Sequence, residues 1–177
     1  MYRCVRILVT LAASGFLLGA SPDGAPGESP HGQSGQSPNS LAIVVNRSNP
    51  VEDLSYAELR RIFLGERSLW PDGRRITLVM MEPGQPERKT VLHEICRMSE
   101  ADYHKHLLQK LFTGEIIVSP KTLASPPGVR KFIFNVPGAI GYIRASDLDG
   151  TVKVLHIDGH LPDDKDYRLQ IDSRWLK

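Results

Sequence analysis

Residues 43–73 read IVVNRSNPVEDLSYAELRRIFLGERSLWPDG. The run LAIVVN over 41–46, which overlaps the start of this stretch, is short, apolar and β-branched, and predicts a buried strand. The segment SNPVEDLS then leads into a helix over about 55–64. Ser55 stands three residues before Glu58, the spacing of a capping box, and Leu59, Ile62 and Phe63 form one apolar stripe. Gly65 ends that helix, and WPDG (70–73) is turn chemistry. A strand, a helix and a turn in this order start an α/β unit.

The rest of the chain repeats the alternation. RITLVMM (75–81) predicts a second strand, and a helix over about 86–98 carries Val91, Leu92, Ile95 and Met98 on one side. Ser99 caps a further helix over about 100–112, with Tyr103, Leu107, Leu108, Leu111 and Phe112 as its stripe. TGEIIVSP is a connector, and a short helix follows Pro126 and Pro127. VPGAIGYIRA (136–145) turns into a third strand, TVKVLHID (151–158) is a fourth, and the alternating YRLQID (167–172) suits an edge strand. The expected fold class is α/β, a three-layer sandwich with a mixed, mostly parallel sheet of four or five strands and helices on both faces.

Upstream, MYRCVR followed by ILVTLAASGFLLGA has the layout of a secretory signal peptide, with cleavage expected near Ala20. The apolar run is shorter than the roughly 20 residues of a spanning helix. No permanent membrane span is expected, and the mature protein is expected to be periplasmic or secreted. Residues 21–40 contain four Pro, four Gly and five Ser, too few apolar groups to offset their ordering entropy. The expected organisation is therefore a signal peptide (1–20), a flexible tether (21–40) and one α/β domain (41–177).

Charge and chemistry narrow the function classes. The chain holds 22 Lys and Arg against 20 Asp and Glu. Arg3, Arg6, Asp23 and Glu28 fall within residues 1–40, leaving 20 against 18 beyond. That balance argues against nucleic acid as a partner. Only Cys4 and Cys96 are present, and loss of the leader leaves Cys96 alone, expected in the core. No G-x-S-x-G elbow, P-loop or H-E-x-x-H occurs. His104 and His106 point to different helix faces, and His93 with Cys96 supplies only two ligand types. The chain is expected to be non-catalytic, without metal or cofactor.

Taken in order, V-N-x-x-N-P-V, L-x-x-I-F-x-G and P-G-A-I-G-Y resemble the phosphate-binding proteins of bacterial ABC phosphate transporters, within the type 2 periplasmic binding proteins. The resemblance covers about residues 41–159. It implies one lobe of a two-lobed fold, in a family whose chains are roughly twice this length. It also implies that the turn EPGQPERKT (82–90) faces the ligand. There the family presents an Arg and a Ser-Gly-Thr turn. Met80 or Met81 stands about where that Arg would be, and Gln85, Pro86 and Glu87 replace the Ser-Gly-Thr.

Two readings of that turn remain open. In the first, Gly84, Gln85, Arg88, Lys89 and Thr90 contact phosphate or another small oxyanion, with Ser48 and Asn49 of the SNP loop nearby, and an ABC permease is the partner. In the second, Pro86 and Glu87 simply begin a helix. The lobe would then have lost its ligand, and would act through an envelope protein or as a homodimer.

Overall fold

The computed structural model describes residues 39–176. The leader and nearly all of the tether lie outside the described residues. In chain order the elements are β1 (Leu41–Val45), β2 (Asp53–Leu54), α1 (Tyr56–Phe63), β3 (Thr77–Met81) and α2 (Pro86–Thr90). The second helix continues as a π-helical segment, Val91–Cys96. Then come α3 (Glu100–Phe112), β4 (Lys121–Leu123), α4 (Pro126–Asn135), β5 (Ala139–Arg144), β6 (Lys153–Val154) and β7 (His156–Ile157). The main sheet has five strands in the order β4-β3-β5-β1-β6. It is mixed: β3 runs parallel to both β4 and β5, whereas β1 is antiparallel to both β5 and β6.

Helices cover both faces of the sheet. Neighbouring residues of a strand point to opposite faces, and β5 shows which helix meets which face. The Tyr142 ring lies 6.1 Å from that of Phe63 on α1. Next to it, Gly141 faces Ile133 of α4, and a Cβ there would come within 3.1 Å of the Ile133 side chain. All five residues of β1 are fully buried, so this strand is the centre of the core. Burying each of its Leu, Ile and Val side chains contributes about 1.5–3 kcal/mol.

Local chemistry fixes the element ends. The capping box at α1 is present in full: the Glu58 amide donates to Ser55 Oγ, and the Ser55 amide donates to Glu58 Oε2. At the other end, Gly65 (φ 73°) donates to Ile62 O while the Glu66 amide donates to Arg61 O, a Schellman closure. Ser99 and Ser125 cap α3 and α4. Gly138 meets a different demand. A Cβ there would stand 2.2 Å from the Arg75 carbonyl oxygen, and the Gly138 carbonyl accepts the Trp70 indole N–H at 3.0 Å. Asn46 caps α4 from outside, donating to Ile133 O and Phe134 O.

Several expectations change. The fourth strand breaks at Leu155, so that β6 joins the main sheet and β7 pairs in parallel with β2. The 167–172 segment is extended, with Tyr167, Leu169 and Ile171 buried, but a single bridge between Ser40 and Gln170 ties it to the sheet side of the chain. The edge strand β4 is only the three residues KTL, of which Leu123 alone is apolar, and gave no periodic signal. On α3 only part of the expected stripe meets the core: Tyr103 is buried and Leu107 packs against it, whereas Leu108 and Phe112 are 42% and 88% exposed. Cys96 is buried as expected, and burial pushes its thiol up to about 12. Among the described residues no helix is long and apolar enough to cross a membrane.

Candidate functional site

The turn between β3 and α2 is built by Pro83 and Gly84. Gln85 donates its amide back to Glu82 O at 3.4 Å, and Gly84 sits at φ 93°, the conformation a type II turn reserves for glycine. Gln85 is the N-cap, with no side-chain cap bond, and Pro86 takes the first helical position, where a missing N–H costs nothing. Gly84 and Lys89 are exposed and Gln85 is half-buried. Lys89 has no ion pair or hydrogen bond to its ammonium among the described residues.

The remaining groups of the turn are committed to the fold. Arg88 is 8% exposed, and its guanidinium has two partners. Nε and Nη2 donate to the Glu100 carboxylate at 2.5–3.0 Å, and Nη1 donates to Met81 O at 2.8 Å. Burial opposes the charge on Arg88, but the Glu100 carboxylate outweighs it and holds the guanidinium above its ordinary value. Arg88 therefore clamps the first turn of α3 and the end of β3 to α2. Thr90 is fully buried and donates Oγ1 to Pro86 O at 2.9 Å. Glu87 is 4% exposed; one carboxylate oxygen accepts from Arg144 Nε, and Oε2 has no partner among the described residues.

Ser48 and Asn49 are not at this turn. Val45 of β1 lies opposite Ile140, and Ile140 lies opposite Leu78. From that level β3 runs three residues onward to Met81, about 10 Å at 3.3 Å per residue, while the chain after Val45 leaves in the reverse direction. The antiparallel pairing of β1 thus puts the SNP loop at the other end of the sheet. There Ser48 Oγ donates to Asn46 Oδ1 at 2.8 Å and accepts from Arg74 at 3.1 Å. Asn49 is 2% exposed; its Oδ1 accepts the Val51 amide at 3.0 Å, and its carbonyl accepts from Lys153 Nζ.

The expected ligand set thus divides. Gly84, Gln85 and Lys89 are placed together and open to solvent, Arg88 and Thr90 face inward beside them, and Ser48 and Asn49 lie elsewhere. Sequence reasoning missed Glu100 and Arg144, which partner Arg88 and Glu87 from 12 and 57 residues away. No local spacing announces either pair. A hollow of about 280 Å³ opens beside Arg88 and Glu100, with Tyr103 and His104 on its wall. Among the described residues no group of three or more His, Cys, Asp or Glu side chains could hold a metal ion.

No protein-family model matches the chain. The phosphate-binding protein PstS of Bacillus subtilis (strain 168) is 33% identical over 130 residues, which cover 71% of this chain and 38% of that protein. The fold is similar to an ABC-type phosphate transport receptor from Vibrio cholerae, with a TM-score of 0.58 and 21% identity over 70% of this chain and 48% of the receptor. PstS from Borrelia burgdorferi gives a TM-score of 0.56 and 12% identity, over 70% of this chain and 49% of that one. The chain spans about half the length of these structures and less of the curated relative. The resemblance read from the motif series is thus present in both sequence and fold, over part of the relatives' length.

Proposed function

We propose that this chain is an exported, non-catalytic module of the solute-binding type, related to the phosphate-binding component of ABC transporters. The single observation that carries this reading is the sequence similarity to a phosphate-binding protein, which runs through the β3–α2 turn. Residues 1–20 would direct export, residues 21–40 would tether the domain, and an ABC permease in the envelope is the natural partner. The ligand contacts are the Gly84 amide and the Gln85 side chain together with the Lys89 ammonium. Arg88 and Thr90 support the turn from behind.

Affinity at such a turn is expected to be weak. The contacts face water, Glu82 is exposed on the same turn, and each exposed charge contact contributes about 1 kcal/mol or less. A dissociation constant near 1 mM corresponds to about 4 kcal/mol in total. Thermal unfolding in phosphate, with sulfate and chloride at matched ionic strength, tests the reading. Stabilisation by phosphate that is lost in Lys89→Glu supports it. Identical curves in phosphate and chloride refute it.

A second reading rests on exposed apolar groups. Phe112, Ile117 and Val118 are 88%, 72% and 71% exposed, close together in sequence around the end of α3. A module that acts through an envelope protein or as a homodimer would cover such residues. Sedimentation across a hundredfold concentration range separates this reading from the first.

A further inference from the structure

A second hollow, of about 310 Å³, lies at the opposite end of β3 from the Gly84 turn. Ile76 and Leu78 around the start of β3, Leu107 from α3 and Ile117 and Val118 of the connector line it, with Ile62 and Phe63 of α1 buried behind them. Ile117 and Val118 are largely exposed, so the mouth is lined with apolar groups that the described chain does not cover. The rim is charged. Arg67 is bonded to Glu58 at 3.0 Å, and Glu115 is neutralised by Lys110 at 2.6 Å. Arg75 also lines the hollow, and its guanidinium has no ion pair or hydrogen bond among the described residues.

An apolar chamber with one uncommitted cation at its edge selects an occupant. A bare phosphate would lose its hydration against Ile76, Leu78 and Leu107 and gain one partner, a net cost. A neutral hydrocarbon would leave Arg75 unused. We infer that this hollow is a binding site for a small organic carboxylate with an apolar tail, its carboxylate on Arg75 and its tail against Ile76, Leu78 and Leu107. Pockets that take small ligands begin at about 300 Å³ and are mostly apolar with a few orienting polar groups. At about 30 Å³ per water the hollow holds roughly ten waters, matching an acid of similar heavy-atom count such as octanoate. The inference is independent of the oxyanion reading, which concerns the other end of the strand.

The probes are octanoate, octanol, acetate and inorganic phosphate, titrated into the full-length protein with amide chemical shifts as the readout. Octanoate is expected to saturate and to shift the amides of 76–78 and 116–118, with octanol at least tenfold weaker and acetate silent. Arg75→Gln, at an exposed side chain without partners, should reduce octanoate to the level of octanol and leave octanol unchanged. The inference is overturned if octanoate does not bind below its micellar range, or if Arg75→Gln leaves its affinity intact. Shifts at 82–90 instead would assign octanoate to the oxyanion turn and equally overturn it. Concentration-dependent dimerisation that octanoate fails to displace would show that the mouth is filled by a second copy.

Discussion

Replacing Arg88 by Met separates a residue that holds the fold from one that holds a ligand. The substitution keeps much of the buried volume and removes the guanidinium. Met81 O then loses a charged donor at 2.8 Å in a buried position, which costs about 1.5–3 kcal/mol. The Glu100 carboxylate, 42% exposed, returns to water, so the lost pair adds at most about 1 kcal/mol. The total is about 3 kcal/mol. For a folded unit of this size that corresponds to a fall in Tm of about 10 °C. The assay is urea unfolding of Arg88→Met and Lys89→Glu, each with and without phosphate. Arg88→Met should lower the midpoint in both conditions and keep the phosphate increment, whereas Lys89→Glu should keep the midpoint and lose the increment. If Arg88→Met were as stable as the parent and bound no phosphate, the structural assignment of Arg88 would be wrong.

Other perturbations test separate parts of the structure. Arg144→Met should cost about 3 kcal/mol in urea unfolding, because it leaves the buried Glu87 carboxylate unpaired. The double variant Glu87→Met with Arg144→Met should return to within about 1 kcal/mol of the parent. A double variant as unstable as the single one would contradict this. Gly138→Ala must displace the Arg75 carbonyl, which should lower stability by about 2–3 kcal/mol and shift the Trp70 indole N–H resonance. Hydrogen bonds from the Ser55 side chain and backbone hold the Glu58 carboxyl below its ordinary value of 4.5. Its contribution to stability is therefore complete above that value and is lost as pH falls below it. A Glu58 carbon resonance titrating at or above 4.5 would contradict the capping-box assignment.

What was legible in the sequence was what short-range chemistry determines. Ser55 and Glu58 carry their own geometry, so α1 was readable to within a residue. The unbroken run Leu41–Val45 had no face to spare for solvent and could only be a central strand. Why Gly stands at 138 and 141 shows only in the folded chain, where the Arg75 carbonyl and the Val79 residue leave little room for a Cβ. On α3, Leu108 and Phe112 obey helical spacing while facing solvent, because periodicity reports which residues share a face and not whether anything covers it. β4 is an edge strand whose single apolar residue, Leu123, is too little for a periodic signal, so its pairing with β3 and not its pattern defines it. The site was half legible for a similar reason. The Gly84 turn follows from Pro83-Gly84, whereas the fate of Arg88 depends on Glu100, which only the packing of α3 against α2 brings within reach. The separation of Ser48 and Asn49 from the turn depends on β1 running antiparallel to β5, and no local motif encodes strand direction.

The pairing at the two ends of the folded unit has an engineering consequence. Ile171 donates its amide to Asn39 O at 2.7 Å, and Leu41 donates to Leu169 O at 2.9 Å. Chain entering at 39 and chain leaving at 171 therefore pass through one doorway, side by side. A unit wired this way can be spliced as a cassette into a surface loop of a host protein, because the host need part its own chain by only a strand's width. It can equally be sealed across 39 and 171 with a short linker and reopened at another turn, Asp72-Gly73 for example, without breaking the sheet.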